Sequence, residues 1–132
     1  MGPGGCCGAF LSAAARIDLD YTNSLFNAPT TDRFVIEGRA LRLVEINSTK
    51  EAVLEHAGLA GPYETRAGRF AASRPGPTLA ELTIRIGQTG QQRLAIGERE
   101  VPLYRIGIGE AARVTVSRIP RVLVLVQRPR AP

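Results

Sequence analysis

The sequence predicts a mainly β, largely antiparallel domain: a sandwich or partly open barrel of seven or eight strands, with one α-helix packed on it. Three observations carry this reading. Apolar residues recur at every second position through successive runs between Leu79 and Gln127, the period at which one face of a strand is buried. Segments such as Gln88-Thr89-Gly90-Gln91 and Gly97-Glu98 separate those runs and have the composition of turns. Only one segment, following Ser48, carries the side chains that start a helix.

A chain of 132 residues suits one domain, and its core needs no disulfide or metal to hold it. Residues 1–132 are therefore read as a single unit. Residues 1–9 form a glycine-rich flexible arm in which Cys6 and Cys7 are adjacent. Two neighbouring cysteines, with His56 the only histidine, provide neither a tetrahedral zinc site nor a disulfide framework. The expectation is reduced thiols, no metal and no cofactor. Gly2 opens a myristoylation pattern, but that pattern asks for Ser or Thr where the chain has Cys6.

The alanine-rich stretch from Phe10 to Arg16 predicts about two helical turns. Ile17, Leu19 and Tyr21 then alternate with Asp18 and Asp20, which predicts a strand with both carboxylates on its solvent face. The Asp-x-Asp pair does not begin a calcium loop, because Asn23 and Pro29 stand where the glycine and the bidentate glutamate belong. Residues 22–32 read as a loop. Phe34 to Ile36 and Ala40 to Ile46 form a hairpin around Glu37-Gly38-Arg39. Its alternation slips near Val44, which marks a bulge or a two-sided strand. Ser48 and Glu51 make a capping box, so a helix is expected over residues 49–57, with Val53 and Leu54 on its apolar face and Gly58 ending it. His56 falls in the last turn, at the negative end of the helix dipole.

Residues 61–78 read as a long Pro/Gly loop. It carries Tyr63, Arg66, Arg69, Phe70 and Arg74, an aromatic and arginine combination of the kind that grips a partner or stacks bases. The alternative is a loop pinned to the sheet by its aromatics. Residues 79–128 are expected to form a β-meander through Leu82, Ile84 and Ile86, then Leu94 and Ile96, then Val101, Leu103 and Tyr104, then Ala112, Val114 and Val116. Pro102 supplies no N–H to a ladder and marks an edge strand or bulge. The run Val122-Leu123-Val124-Leu125-Val126 is apolar at every position, which predicts a central strand covered on both faces, with the helix as its cover. Residues 129–132 are a tail.

The formal charge is +5 and all of it lies after residue 78. The earlier residues hold eight basic and eight acidic side chains, whereas the later ones hold nine arginines against four glutamates. Arg113, Arg118, Arg121, Arg128 and Arg130 have no acid among them and form the candidate contact for a polyanion or partner, since guanidinium groups make planar, bidentate contacts with phosphate and carboxylate. The arginine bias also has a purely compositional reading. No apolar run approaches the roughly 18–20 residues of a membrane-spanning helix, and the first residues lack the charged and apolar regions of a secretory signal. The expected location is cytoplasmic or within an intracellularly made assembly, away from membranes.

Arg113-Val114-Thr115-Val116 with Arg121-Val122-Leu123-Val124-Leu125 resembles the C-terminal strands of TOBE modules, small β-barrels of molybdate-transport ATPases. That resemblance implies oxyanion binding, and it does not extend to residues 1–75.

No set of nucleophile, base and orienting group is recognisable, so no catalytic residue is assigned. The function expected is that of a non-enzymatic structural or binding subunit making protein contacts, as a homo-oligomer or as a component of a viral particle or other multisubunit complex. One alternative is a nucleic-acid-binding domain using the arginine-rich C-terminal edge, with Tyr63, Phe70 or Tyr104 as stacking surfaces. An aromatic content of 5% counts against it. The other is a small-ligand or oxyanion-binding barrel module whose mouth uses Glu37, Glu45, Glu64 or His56.

Overall fold

The computed structural model describes residues 8–11, 16–73, 76–117 and 123–127. They form two antiparallel sheets facing each other as a sandwich, with one α-helix. The elements are β1 (Gly8–Leu11), β2 (Arg16–Asn23), β3 (Ala28–Glu37), β4 (Ala40–Ser48), α1 (Glu51–His56), β5 (Glu64–Arg66), β6 (Arg69–Ser73), β7 (Thr78–Leu79), β8 (Leu82–Arg85), β9 (Arg93–Ile96), β10 (Arg99–Val101), a 3-10 turn (Leu103–Arg105), β11 (Ala111–Ser117) and β12 (Leu123–Gln127). The larger sheet runs in the order β10-β9-β2-β3-β4-β6-β5, with β7 beside β4, and the smaller in the order β1-β12-β11-β8. The strand segments outnumber the seven or eight expected because β5, β7 and β10 are pieces of only two or three residues and β1 was not expected as a strand.

Period-two alternation places the core between the sheets. Ile17, Leu94 and Ile96 from the larger sheet meet Val114, Val124 and Val126 from the smaller, all almost completely buried. Leu103 and Ile106, from the 3-10 turn and its end, join the same core. Each fully buried aliphatic side chain contributes roughly 1.5–3 kcal/mol.

The hairpin expected at Glu37-Gly38-Arg39 is present, with Glu37 opposite Ala40. Gly38 and, in the β9–β10 hairpin, Gly97 take the first central turn position at φ 64° and 60°, the place where a two-residue turn needs a residue free of a Cβ. The slip near Val44 is a bulge: Arg33 lies opposite Glu45 and Phe34 opposite Leu43, so Val44 has no partner.

Several expectations are corrected. Residues 8–11 are not the end of an arm or the start of a helix but β1, paired with β12; a ladder partner outweighs the weak helix preference of so short a segment. The loop expected over 22–32 contracts to the turn at residues 24–27, because Ala28 to Asp32 belong to β3 and pair with β2. The helix starts at Glu51, and its N-cap Lys50 makes no side-chain cap bond. Ser48 instead ends β4, fully buried, with its hydroxyl donating to the Pro29 carbonyl. The helix end is as expected: Gly58 N–H and Leu59 N–H close on the Glu55 and Leu54 carbonyls, the paired bonds of a Schellman stop.

The long loop of 61–78 is partly a hairpin, β5–β6, turning through Ala67 and Gly68 at φ 50° and 77°. The meander is also corrected, since its runs alternate between sheets. β8 pairs with β11, while β9 and β10 belong to the larger sheet beside β2. A local apolar period cannot distinguish pairing with the next strand from crossing the core. β10 does form an edge, and Pro102 follows its last residue. β12 is interior to its sheet, as its apolar run requires, but α1 packs on β4 and β6 of the other sheet rather than over it.

Candidate functional site

The outward face of the larger sheet carries the densest polar arrangement. Register creates it. Asp18 on β2 lies opposite Arg33 on β3, which lies opposite Glu45 on β4; one step along, Asp20, Thr31 and Asn47 repeat the row. The bulge at Val44 puts Glu45 and Asn47 on this face, because one extra residue inverts the phase of everything after it. Without that residue both side chains would point into the core.

Glu45 is the hub. Its side chain is 9% exposed and meets Arg66 Nη2 at 2.5 Å and Arg33 Nη1 at 3.4 Å, while Asn47 Nδ2 donates to it at 3.1 Å. Burial alone raises the Glu45 carboxyl, and the hydrogen bonds from Asn47 and Arg66, with the charges of Arg33 and Arg66, outweigh that and hold it below the ordinary carboxylate range. Arg33 also grips Asp18 with two donors, at 3.0 and 3.5 Å, a bond that raises the guanidinium above its usual value. Arg66 is shared with Glu64 at 2.9 Å.

Arg69 differs from these arginines. Its Nη1 donates to Asn47 Oδ1 at 2.8 Å and to Thr31 Oγ1 at 3.3 Å, both neutral acceptors. The Thr31 hydroxyl in turn donates to Asp20 Oδ1 at 2.5 Å. Among the described residues Arg69 has no carboxylate partner. It lies between two concavities: one of about 110 Å³ lined with Arg33, Glu45, Asn47, Arg66 and Ala71, and one of about 320 Å³ lined with Asp20, Thr30, Gly90, Gln91 and Arg93 among others.

The sequence-predicted contact residues are divided. Arg66 and Arg69 share this face. Phe70, the next residue on β6, pairs with Ser48 and Thr65 and so points to the opposite side of the pleat. Tyr63 is half-buried and its hydroxyl donates to the Leu59 carbonyl. Arg74 lies outside the described residues, as do Cys6, Cys7, Arg118, Arg121, Arg128 and Arg130. Arg113 is described and engaged, with Nη2 on Gln127 Oε1 at 3.1 Å and Nη1 at 4.0 Å from Glu81.

Of the four residues named for possible chemistry, Glu45 and Glu64 meet on Arg66, and Glu37 and His56 lie apart from them. Glu37 pairs with Arg42 at the surface, Glu64 with Arg66, and His56 packs edge-to-face on Phe26, centroids 5.8 Å apart. Among the described residues no group of three or more His, Cys, Asp or Glu is placed to hold a metal ion, and no helix is long and apolar enough to cross a membrane. Thr31, Arg33 and Asn47 were not singled out in the sequence, and Asp20 was read only as a carboxylate on the solvent face of its strand. Their signal was a polar pair at i and i+2 on three successive strands, Asp18/Asp20, Thr31/Arg33 and Glu45/Asn47.

Compared with protein families, curated proteins and solved structures, the chain matches none.

Proposed function

We propose that the protein is a non-enzymatic structural or binding subunit that associates with further copies of itself through the outward face of its smaller sheet, within a larger assembly. The observation that supports this is β12. It is paired on both flanks, buries Val124 and Val126 inward, and carries Leu125 in the opposite phase, register-matched to Thr115 on β11. The helix that was expected to cover this face lies on the other sheet, and Leu125 is half-buried on a face it shares with Arg113, Thr115 and Gln127. A strand apolar in both phases is the composition of a strand buried on both faces.

Sideways strand addition at the larger sheet is disfavoured. Its edge strands β5 and β10 have three residues each, with Glu64, Arg66, Arg99 and Glu100 among them, and β10 stops at Pro102. Short, charged edges of this kind block unwanted pairing. This leaves the smaller sheet, with its four-residue edges β1 and β8 and its outward face, and Leu125 favours the face.

Mass in solution by light scattering, at low and high salt and after nuclease treatment, tests this reading. An oligomer that survives high salt without bound nucleic acid is the expected result, because an apolar contact is insensitive to screening. A protein that co-purifies with nucleic acid and releases it steeply between about 50 and 200 mM salt contradicts it.

A further inference from the structure

We infer that the 320 Å³ concavity on the outward face of the larger sheet is a binding site for a single phosphate group, held by Arg69 and Arg93 with Asp20 accepting a hydrogen bond from its P–OH. This site is separate from the face proposed for self-association.

The arginines of this face differ in their partners. Arg33 and Arg66 are each matched by two carboxylates. Arg69 and Arg93, which line the same concavity, have no carboxylate partner among the described residues. Arg69 is nevertheless fixed. Asn47 is buried and its amide is oriented from both sides, giving Nδ2 to Glu45 and Oδ1 to Arg69. Thr31 spends its proton on Asp20 and so presents a lone pair to Arg69. Both acceptors take the same nitrogen, Nη1, which leaves Nε and Nη2 of a half-buried, pre-oriented guanidinium for a ligand. A pre-oriented fork of N–H donors matches the oxygens of a phosphate.

Arg93 faces Asp20 across the β2–β9 ladder without pairing with it. Asp20 Oδ1 is taken by Thr31, while Oδ2 has no partner among the described residues. A carboxylate beside two cations repels a fully deprotonated anion and accepts a hydrogen bond from a protonated one. This selects inorganic phosphate, which retains a P–OH at neutral pH, and a phosphate monoester in the form protonated below its second pKa of about 6, over sulfate, which retains none. A polyanion is disfavoured, because Asp18, Glu45 and Glu64 lie on the same face. The volume lies within the range of roughly 300–1,000 Å³ that holds small ligands.

Calorimetric titration of the full chain with inorganic phosphate, O-phosphoserine and sulfate tests this site. Phosphate or the monoester is expected to bind with a dissociation constant of about 1 mM or tighter, and whichever is tighter identifies the source of the group. Arg93 is exposed and has no ion-pair partner among the described residues, so Arg93→Ala folds normally and is expected to weaken binding at least tenfold. Arg69→Ala has the same effect, whereas Arg42→Ala, on a surface pair elsewhere, binds as the parent does. Sulfate is expected to bind at least tenfold more weakly than phosphate, and Asp20→Asn to close that gap. Absence of binding by either phosphate compound at about 10 mM, unchanged binding in Arg93→Ala, or sulfate bound as tightly as phosphate overturns the assignment.

Discussion

The Tyr21 hydroxyl donates to Asp32 Oδ1 at 3.0 Å, and no cation pairs with that carboxylate among the described residues. Asp32 lies between Leu19 and Ile46 in register, on the side of the larger sheet that faces the core. Burial pushes its carboxyl from 3.8 up to about 6, with the Tyr21 bond opposing the shift only in part. Burial, and then the nearby Asp32 charge, also raise the Tyr21 phenol.

This pair sets a pH dependence of known sign. A carboxyl whose folded value exceeds its unfolded value binds its proton more tightly in the native state. Its stabilisation is complete below about 4 and is lost as pH rises through about 6, a change on the order of 2–3 kcal/mol. Glu45, shifted downward, contributes with the opposite sign at lower pH. The difference between parent and Asp32→Asn isolates Asp32. Urea unfolding from pH 4 to 7 is expected to show the parent losing stability relative to the variant, and a flat difference contradicts the assignment.

Glu45 and Glu37 offer a second comparison. Glu45 is buried and holds two arginines and Asn47, whereas Glu37 and Arg42 are both substantially exposed, at 46% and 33%. Glu45→Ala is expected to cost about 1–3 kcal/mol, less than a fully buried pair because Arg66 regains water. Glu37→Ala is expected to cost about 0.5 kcal/mol or less. Equal losses in denaturant titrations would sink the view of Glu45 as the hub.

Ala67 occupies the left-handed region at φ 50° in the β5–β6 turn, a conformation that costs a residue with a Cβ roughly 1–2 kcal/mol. Ala67→Gly relieves that strain and loses part of the gain to unfolded-chain entropy. A net stabilisation of about 0.5–1 kcal/mol is expected in thermal unfolding.

Gly90 is closed in by Gln92, so a Cβ added there would stand 2.7 Å from the Gln92 Cδ atom. Gly90→Ala is expected to cost about 0.5–1.5 kcal/mol, because the Gln92 amide, at the far end of a flexible side chain, swings aside and gives up its bond to the Arg85 carbonyl. Adding Gln92→Ala should add little to that loss, giving the non-additivity of directly touching residues. Additive losses in the double variant would show that the clash lies elsewhere.

The mainly β, antiparallel character was legible because Ile17/Leu19, Leu94/Ile96 and Ala112/Val114/Val116 alternate cleanly and the turns carry glycine, which left a sandwich and a partly open barrel as alternatives. The bulge at Val44 was legible as a slip in that alternation. Strand order was not, because β8 and β9 have the same apolar period although they belong to different sheets. Ser48 and Glu51 matched a capping box, yet burial of the Ser48 hydroxyl against Pro29 and Thr30 won over the cap. For the polar face, Arg66 and Arg69 were named from composition alone. Their partners Asp20, Thr31, Arg33 and Asn47 came from three other strands and needed the register to join them.

The most direct test of the account is the mass in solution of the parent chain and of Leu125→Glu, measured together at high salt. The parent is expected to be an oligomer and the variant a single folded chain, since a carboxylate buried against the face of a second copy is left unpaired. A parent protein with the mass of one chain, or an oligomer that Leu125→Glu leaves intact, would contradict it.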